Sequence, residues 1–239
     1  LYTPTDDIES ISQFLNTWAE INSPFNVFTL VSFAIAILFR PFYFRQYKHF
    51  PLLFLYGPAG TGKTTSMEIF GALLGFSEIE KKTLNKNMTQ KYLIRTMSNV
   101  SALPVFFDDY RNPTKTNNTL DISQMILNWF EGIGGGMAKK SNDTSTINID
   151  IASTIILTGN DKPIDKAVNQ RLILLNYPSI VQPSLMQTAN QLFRDRKTLN
   201  GFISLVIPLI NLYKSRLIHD IDHIGKYLMT QDFNARQAQ

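Results

Sequence analysis

The run Gly57-Pro58-Ala59-Gly60-Thr61-Gly62-Lys63-Thr64 constrains this chain more than any other feature, because it dictates a strand, a tight anion-cradling turn and a helix in that order. It fills every fixed position of the pattern G-x-x-x-x-G-K-[ST]. Before it, Leu52-Leu53-Phe54-Leu55-Tyr56 is an apolar run of strand length. After it, Met67, Phe70, Leu73 and Leu74 fall at helical spacing. Glycines let the backbone take positive φ, which a Cβ resists. Successive N–H groups and the positive helix end then converge on an anion. Residues 57–64, with Thr65 next in line, therefore read as a loop that binds the phosphates of a nucleoside triphosphate. In that reading Lys63 reaches the β- and γ-phosphates and the Thr64 hydroxyl ligates Mg²⁺.

The 239 residues leave room for a large core, and 44% apolar with 18% charged residues describes a globular chain. There are no cysteines, which excludes a disulfide framework, a thiolate metal site and a thiol nucleophile. The net charge of +4 fits a polyanionic partner without demanding one. An uncharged stretch from Phe25 to Phe39, between Glu20 and Arg40, reads as a buried helix and not a membrane span.

Three parts are expected. Residues 1–50 form a helical segment, with one helix starting near Asp6-Asp7 and a second running from Pro24 to just before Pro41. Residues 51–180 alternate strands (52–56, 103–107, 153–158, 171–175) with helices (63–75, 89–98, 121–131), the pattern of a parallel sheet between helices. Residues 181–239 return to helix, kinked or split at Pro208.

Within the middle part, Leu103-Pro104-Val105-Phe106-Phe107-Asp108-Asp109 is an apolar strand ending in two carboxylates. Asp108 is placed to hold Mg²⁺ and Asp109 to orient the attacking water. The next apolar strand ends in Thr158-Gly159-Asn160-Asp161-Lys162-Pro163, where Asn160 is either loop chemistry or a sensor of the γ-phosphate. Arg171 precedes the strand Leu172 to Leu175. It is either an ordinary strand-edge arginine or a cation that reaches the phosphate site of an adjacent subunit. Gly132 to Gly136 followed by Met137, Ala138, Lys139 and Lys140 is either a flexible loop with solvated lysines or a hairpin with phosphate-gripping cations. Lys81, Lys82, Lys86, Lys91 and Arg95 read as a solvated helix face or a subunit interface.

Taken together, GPAGTGKTT, PVFFDDY, EGIGGGMAKK, TIILTGNDKP and NQRLILL resemble superfamily 3 helicases, the motor domains of viral, phage and plasmid replication proteins. The resemblance spans residues 57–175. It implies an AAA+ P-loop NTPase core with flanking helical segments, ATP and Mg²⁺ as cofactors, and an intracellular ATP hydrolase. It also implies a homo-oligomeric ring, usually hexameric, on single-stranded DNA or RNA, with a fused or partner primase or origin-binding module. In this family Asn160 is the sensor, Arg171 the trans-acting finger, and Lys139 and Lys140 the pore contacts. With no aromatic or histidine beside the two lysines, their grip would be mainly electrostatic. A nucleotide-switched loader or scaffold without unwinding activity shares every nucleotide motif and is the competing expectation.

Overall fold

The computed structural model describes residues 4–83, 89–111, 122–138, 146–178 and 182–229. The chain has an α/β fold built on a five-stranded parallel sheet flanked by helices. The strands are β1 (Leu52–Tyr56), β2 (Lys81–Thr83), β3 (Pro104–Tyr110), β6 (Thr154–Gly159) and β7 (Leu172–Asn176), in spatial order β2-β3-β6-β1-β7. A separate antiparallel pair joins β4 (Ile133–Ala138) to β5 (Thr146–Asp150).

Because successive strand residues face opposite ways, each strand feeds two cores. Leu53, Leu55, Phe106 and Ile156 point into one. Leu52, Phe54, Phe107 and Leu157 point into the other. The near-continuous apolar runs read from the sequence are what a sheet covered on both faces requires. The first face is covered by α3 (Lys63–Leu73) together with α1 (Pro4–Ile21), α2 (Pro24–Tyr47) and the end of α7 (Met186–Arg194). The second is covered by α4 (Gln90–Ser98), α5 (Ile122–Phe130) and the short α6 (Lys166–Asn169). The terminal helices thus share one core with the sheet. Asn26 fastens α2 to the end of β7 by donating to the Asn176 carbonyl at 2.8 Å.

Two expectations need correction. The second helix does not stop before Pro41; α2 continues through it to Tyr47, ending with Lys48 in the left-handed region. Burial along one stripe (Val27, Leu30, Phe33, Ala34, Ile37, Arg40) outweighs the single backbone bond that proline removes. α8 (Phe202–Met229) runs through Pro208 without being split, and a bend of 73° between Ile210 and Ser215 follows it, in keeping with the expected kink. Lys81 and Lys82 lie on the edge strand β2 and not on a helix, and each pairs with a nearby acid, Glu68 and Glu80 respectively. Of the two readings of the glycine run, the hairpin fits better than the loop: Gly134 to Gly136 lie in strand β4, paired antiparallel with β5. α2 is long and apolar enough to cross a membrane, yet its stripe packs into the protein core.

Arg40, on that stripe, is buried and donates to the carbonyls of Ala152 at 2.6 Å and Ile151 at 2.9 Å. Burial pushes its pKa down to about 10, so it stays protonated at neutral pH. The contact ties α2 to the segment linking β5 and β6.

Candidate nucleotide site

The site forms where a parallel sheet offers it, at the carboxyl ends of the strands. β1 runs into the glycine-rich turn, and α3 begins at Lys63 with Gly62 as its N-cap at φ 87°. Gly57, at φ 147°, passes so close to β7 that a Cβ there would lie 2.1 Å from the Tyr177 carbonyl oxygen. Its N–H donates to the Gly159 carbonyl at 3.2 Å, while the Tyr177 N–H donates to Tyr56 at 2.8 Å. The loop is therefore set in register with both neighbouring strands before any ligand arrives.

Lys63 is 8% exposed, and its ammonium donates to the carbonyls of Gly57 at 2.7 Å and Pro58 at 2.6 Å. Burial lowers its pKa, and the Asp108 charge partly opposes this. The Thr61 hydroxyl bonds the Pro58 carbonyl at 2.9 Å and braces the turn.

Strand order decides what meets the loop. β6 lies between β1 and β3, with Thr158 beside Leu55. The β3–β6 ladder slips between Phe107 and Tyr110, so Asp108 and Asp109 together oppose the single residue Thr158. This bulge puts Asp109 at φ 59° and aims Asp108 at the loop. The Thr64 hydroxyl lies 3.4 and 3.3 Å from the two Asp108 carboxylate oxygens. Asp108 also accepts from the Asp109 N–H at 3.0 Å and from the Thr158 hydroxyl. A hydroxyl and a carboxylate meeting beside an ammonium-bearing loop is the donor set Mg²⁺ takes with phosphate oxygens.

Lys63, Thr64 and Asp108 are thus brought together. The Asp109 carboxylate is instead paired with Arg111, 2.7 Å from its guanidinium, and is 41% exposed. Asn160 follows β6 at the same end of the sheet and is exposed. Arg171 lies at the other end: its carbonyl accepts from the Leu52 N–H at the start of β1, about 15 Å of strand away from the loop. Its side chain is 12% exposed, donates to the Ala167 carbonyl at 2.8 Å, lies over the Phe130 ring and is 4.0 Å from Glu131. Lys139 and Lys140 lie outside the described residues.

Thr158 is the contributor that sequence reading passed over. A hydroxyl closing the aliphatic run Ile155-Ile156-Leu157, two residues before Asn160, was the available signal, since most buried hydroxyls take a partner.

No protein-family model matches the sequence, and no curated protein matches it. Solved structures do align with it. The JCV helicase matches over 96% of this chain and 73% of its own, at 15% identity and a TM-score of 0.42. An inhibitor-bound JCV helicase matches over 95% and 68%, at 15% identity and 0.38. The apo A form of the NrS-1 C-terminal region matches over 73% and 44%, at 12% identity and 0.38. Likeness at this level concerns the outline of the fold and assigns no residue a role.

Proposed function

We propose that the chain is an ATP-dependent motor, a helicase or translocase that acts as an oligomeric ring on single-stranded nucleic acid. The observation that carries its nucleotide chemistry is the meeting of Thr64 and Asp108 beside Lys63. Lys63 leaves its two loop carbonyls for the β- and γ-phosphates, whose charge outcompetes neutral acceptors. Thr64 and Asp108 hold Mg²⁺. Asn160 orients the attacking water or the γ-phosphate from the end of β6. Asp109 prepares that water once its carboxylate exchanges Arg111 for it.

Arg171 lies at the far end of the sheet from Lys63, so a role at a phosphate site would be at a neighbour's and would require its side chain to leave Ala167 and Glu131. In sequence, Lys139 and Lys140 fall in the segment joining the paired strands β4 and β5, where two cations would meet a phosphate backbone without reading bases.

The test pairs two readouts on Lys139→Ala/Lys140→Ala protein. Strand separation driven by ATP is expected to fall at least about tenfold, with basal hydrolysis kept within about twofold. Intact protein that hydrolyses ATP but never separates strands would favour the loader or scaffold reading.

A further inference from the structure

The antiparallel pair β4–β5 stands on two feet, and both meet a single turn of α2. One foot is Gly132, whose carbonyl accepts from the Ile151 N–H at 2.8 Å. The other is Ile151 itself, followed by Ala152. Arg40 donates to the carbonyls of Ala152 and Ile151. Phe44, one turn further along α2, packs against Gly132 so closely that no Cβ would fit there. The Arg40 guanidinium lies over the Phe44 ring, 4.7 Å from its centre. We propose that Arg40, seated on Phe44, is a positioning residue that locks the feet of β4–β5 to β6, so that nucleotide bound at the far end of β6 moves the pair. This coupling rests on the triphosphate reading proposed above.

The path is one strand. β6 is buried over its whole length and lies between β1 and β3. Near its carboxyl end Thr158 holds Asp108, the carboxylate that faces Thr64. At its amino end only Ile151, Ala152 and Ser153 separate it from β5, and these belong to neither strand. The two ends are roughly 20 Å apart. Displacement travels through rigid elements and hydrogen-bonded networks and is lost in a slack connection. Arg40 takes up that slack, since two of the three link carbonyls are its acceptors. The Ala152 carbonyl is held from a second side, accepting from the Ala102 N–H ahead of β3 at 3.0 Å.

Stability alone gives a poor reason for an arginine here. It is 4% exposed, its Nε has no acceptor among the described residues, and carbonyl dipoles and an aromatic face meet its charge. A buried cation costs desolvation, and apolar side chains of similar volume hold elements together as well or better. What an apolar side chain cannot do is grip two carbonyls of a crossing segment at once, as a planar guanidinium does.

Hydrogen exchange of the whole chain, with and without Mg²⁺ and a non-hydrolysable ATP analogue, tests this. In the unaltered protein the analogue should change amide exchange at least about threefold in loop 57–64 and also in β4 and β5. Arg40→Met should keep the loop response and lose that of β4 and β5. Arg40→Lys, which still offers donors to both carbonyls, should restore at least about half of it. Lysine no better than methionine would reduce Arg40 to filling space and overturn the proposal. If Arg40→Met unfolds, Phe44→Leu decides: it frees only the Gly132 foot and should keep the loop response while about halving that of β4 and β5. An undiminished β4–β5 response in whichever variant folds overturns the proposal. A loop response with β4 and β5 silent in the unaltered protein does so too, and either result leaves the nucleotide site standing. An unaltered protein whose loop ignores the analogue overturns both.

Discussion

Replacing Asp108 by asparagine is expected to lower Mg²⁺-dependent ATP hydrolysis roughly 10²–10³-fold, the range commanded by losing one preorganised electrostatic contact at a reacting phosphate. The side chain keeps its shape and its neighbours, so the effect isolates charge. In the folded chain this carboxylate already accepts from Thr158 and from the Asp109 N–H, and it lies within 3.4 Å of the Thr64 hydroxyl. Those contacts fix its position but leave its negative charge for a metal. Thr158→Val is the graded companion. It removes one orienting hydrogen bond and should raise the Mg²⁺ concentration needed for half-maximal turnover about tenfold, in line with other groups that orient a ligand from behind. Steady-state rates over a Mg²⁺ series separate the two. If Asp108→Asn hydrolyses ATP within twofold of the unaltered protein, the metal lies elsewhere.

The second large effect concerns the backbone. Gly57→Ala should cost about 2–5 kcal/mol of stability and abolish nucleotide binding, because strained φ and overpacking act at one atom. The new methyl would stand 2.1 Å from the Tyr177 carbonyl oxygen, and its three nearest neighbours are all Tyr177 backbone, which leaves nothing soft to yield. Gly60→Ala is the control. At φ 79° it also meets strain, but no atom lies within 4 Å of its Cβ position, so a loss near 1 kcal/mol is expected. Denaturant unfolding of the two variants measures the difference. Equal losses would mean that the approach of β7 to the loop is not what Gly57 serves.

These two effects also mark how far the sequence could be read. The loop, its strand and its helix were legible because glycine spacing and apolar runs are local signals that tertiary context seldom overrides. The four sheet strands 52–56, 104–110, 154–159 and 172–176 were legible for the same reason, as runs too apolar for a half-exposed strand. Strand order was not. That β6 separates β1 from β3 is a long-range fact, and with it came the role of Thr158, which depends on facing a bulge in a distant strand. Short edge strands such as Lys81–Thr83 carry no apolar period and were read as something else. Proline misled at Pro41, because the rule that it ends helices weighs one lost hydrogen bond and a ring clash, whereas α2 gains a whole buried stripe by continuing. The walls of the cleft that opens above the first turn of α3 were invisible for a different reason. Trp18 and Asn190 belong to helices whose spacing reports only that they pack, Asn22 follows the end of α1, and the space between them exists only once α1 and α7 are set side by side.

One titration decides whether the loop is a nucleotide site: ATP added to Lys63→Ala and to unaltered protein in Mg²⁺, followed by calorimetry. Lys63 is the cation the loop carries into its own centre, held now by the Gly57 and Pro58 carbonyls. The unaltered protein should show one saturable ATP site per chain, and Lys63→Ala should bind at least roughly 10²-fold more weakly, because a buried charge-assisted contact to phosphate is removed. Saturable binding of equal strength in both proteins, or none in either, would contradict that role for the loop.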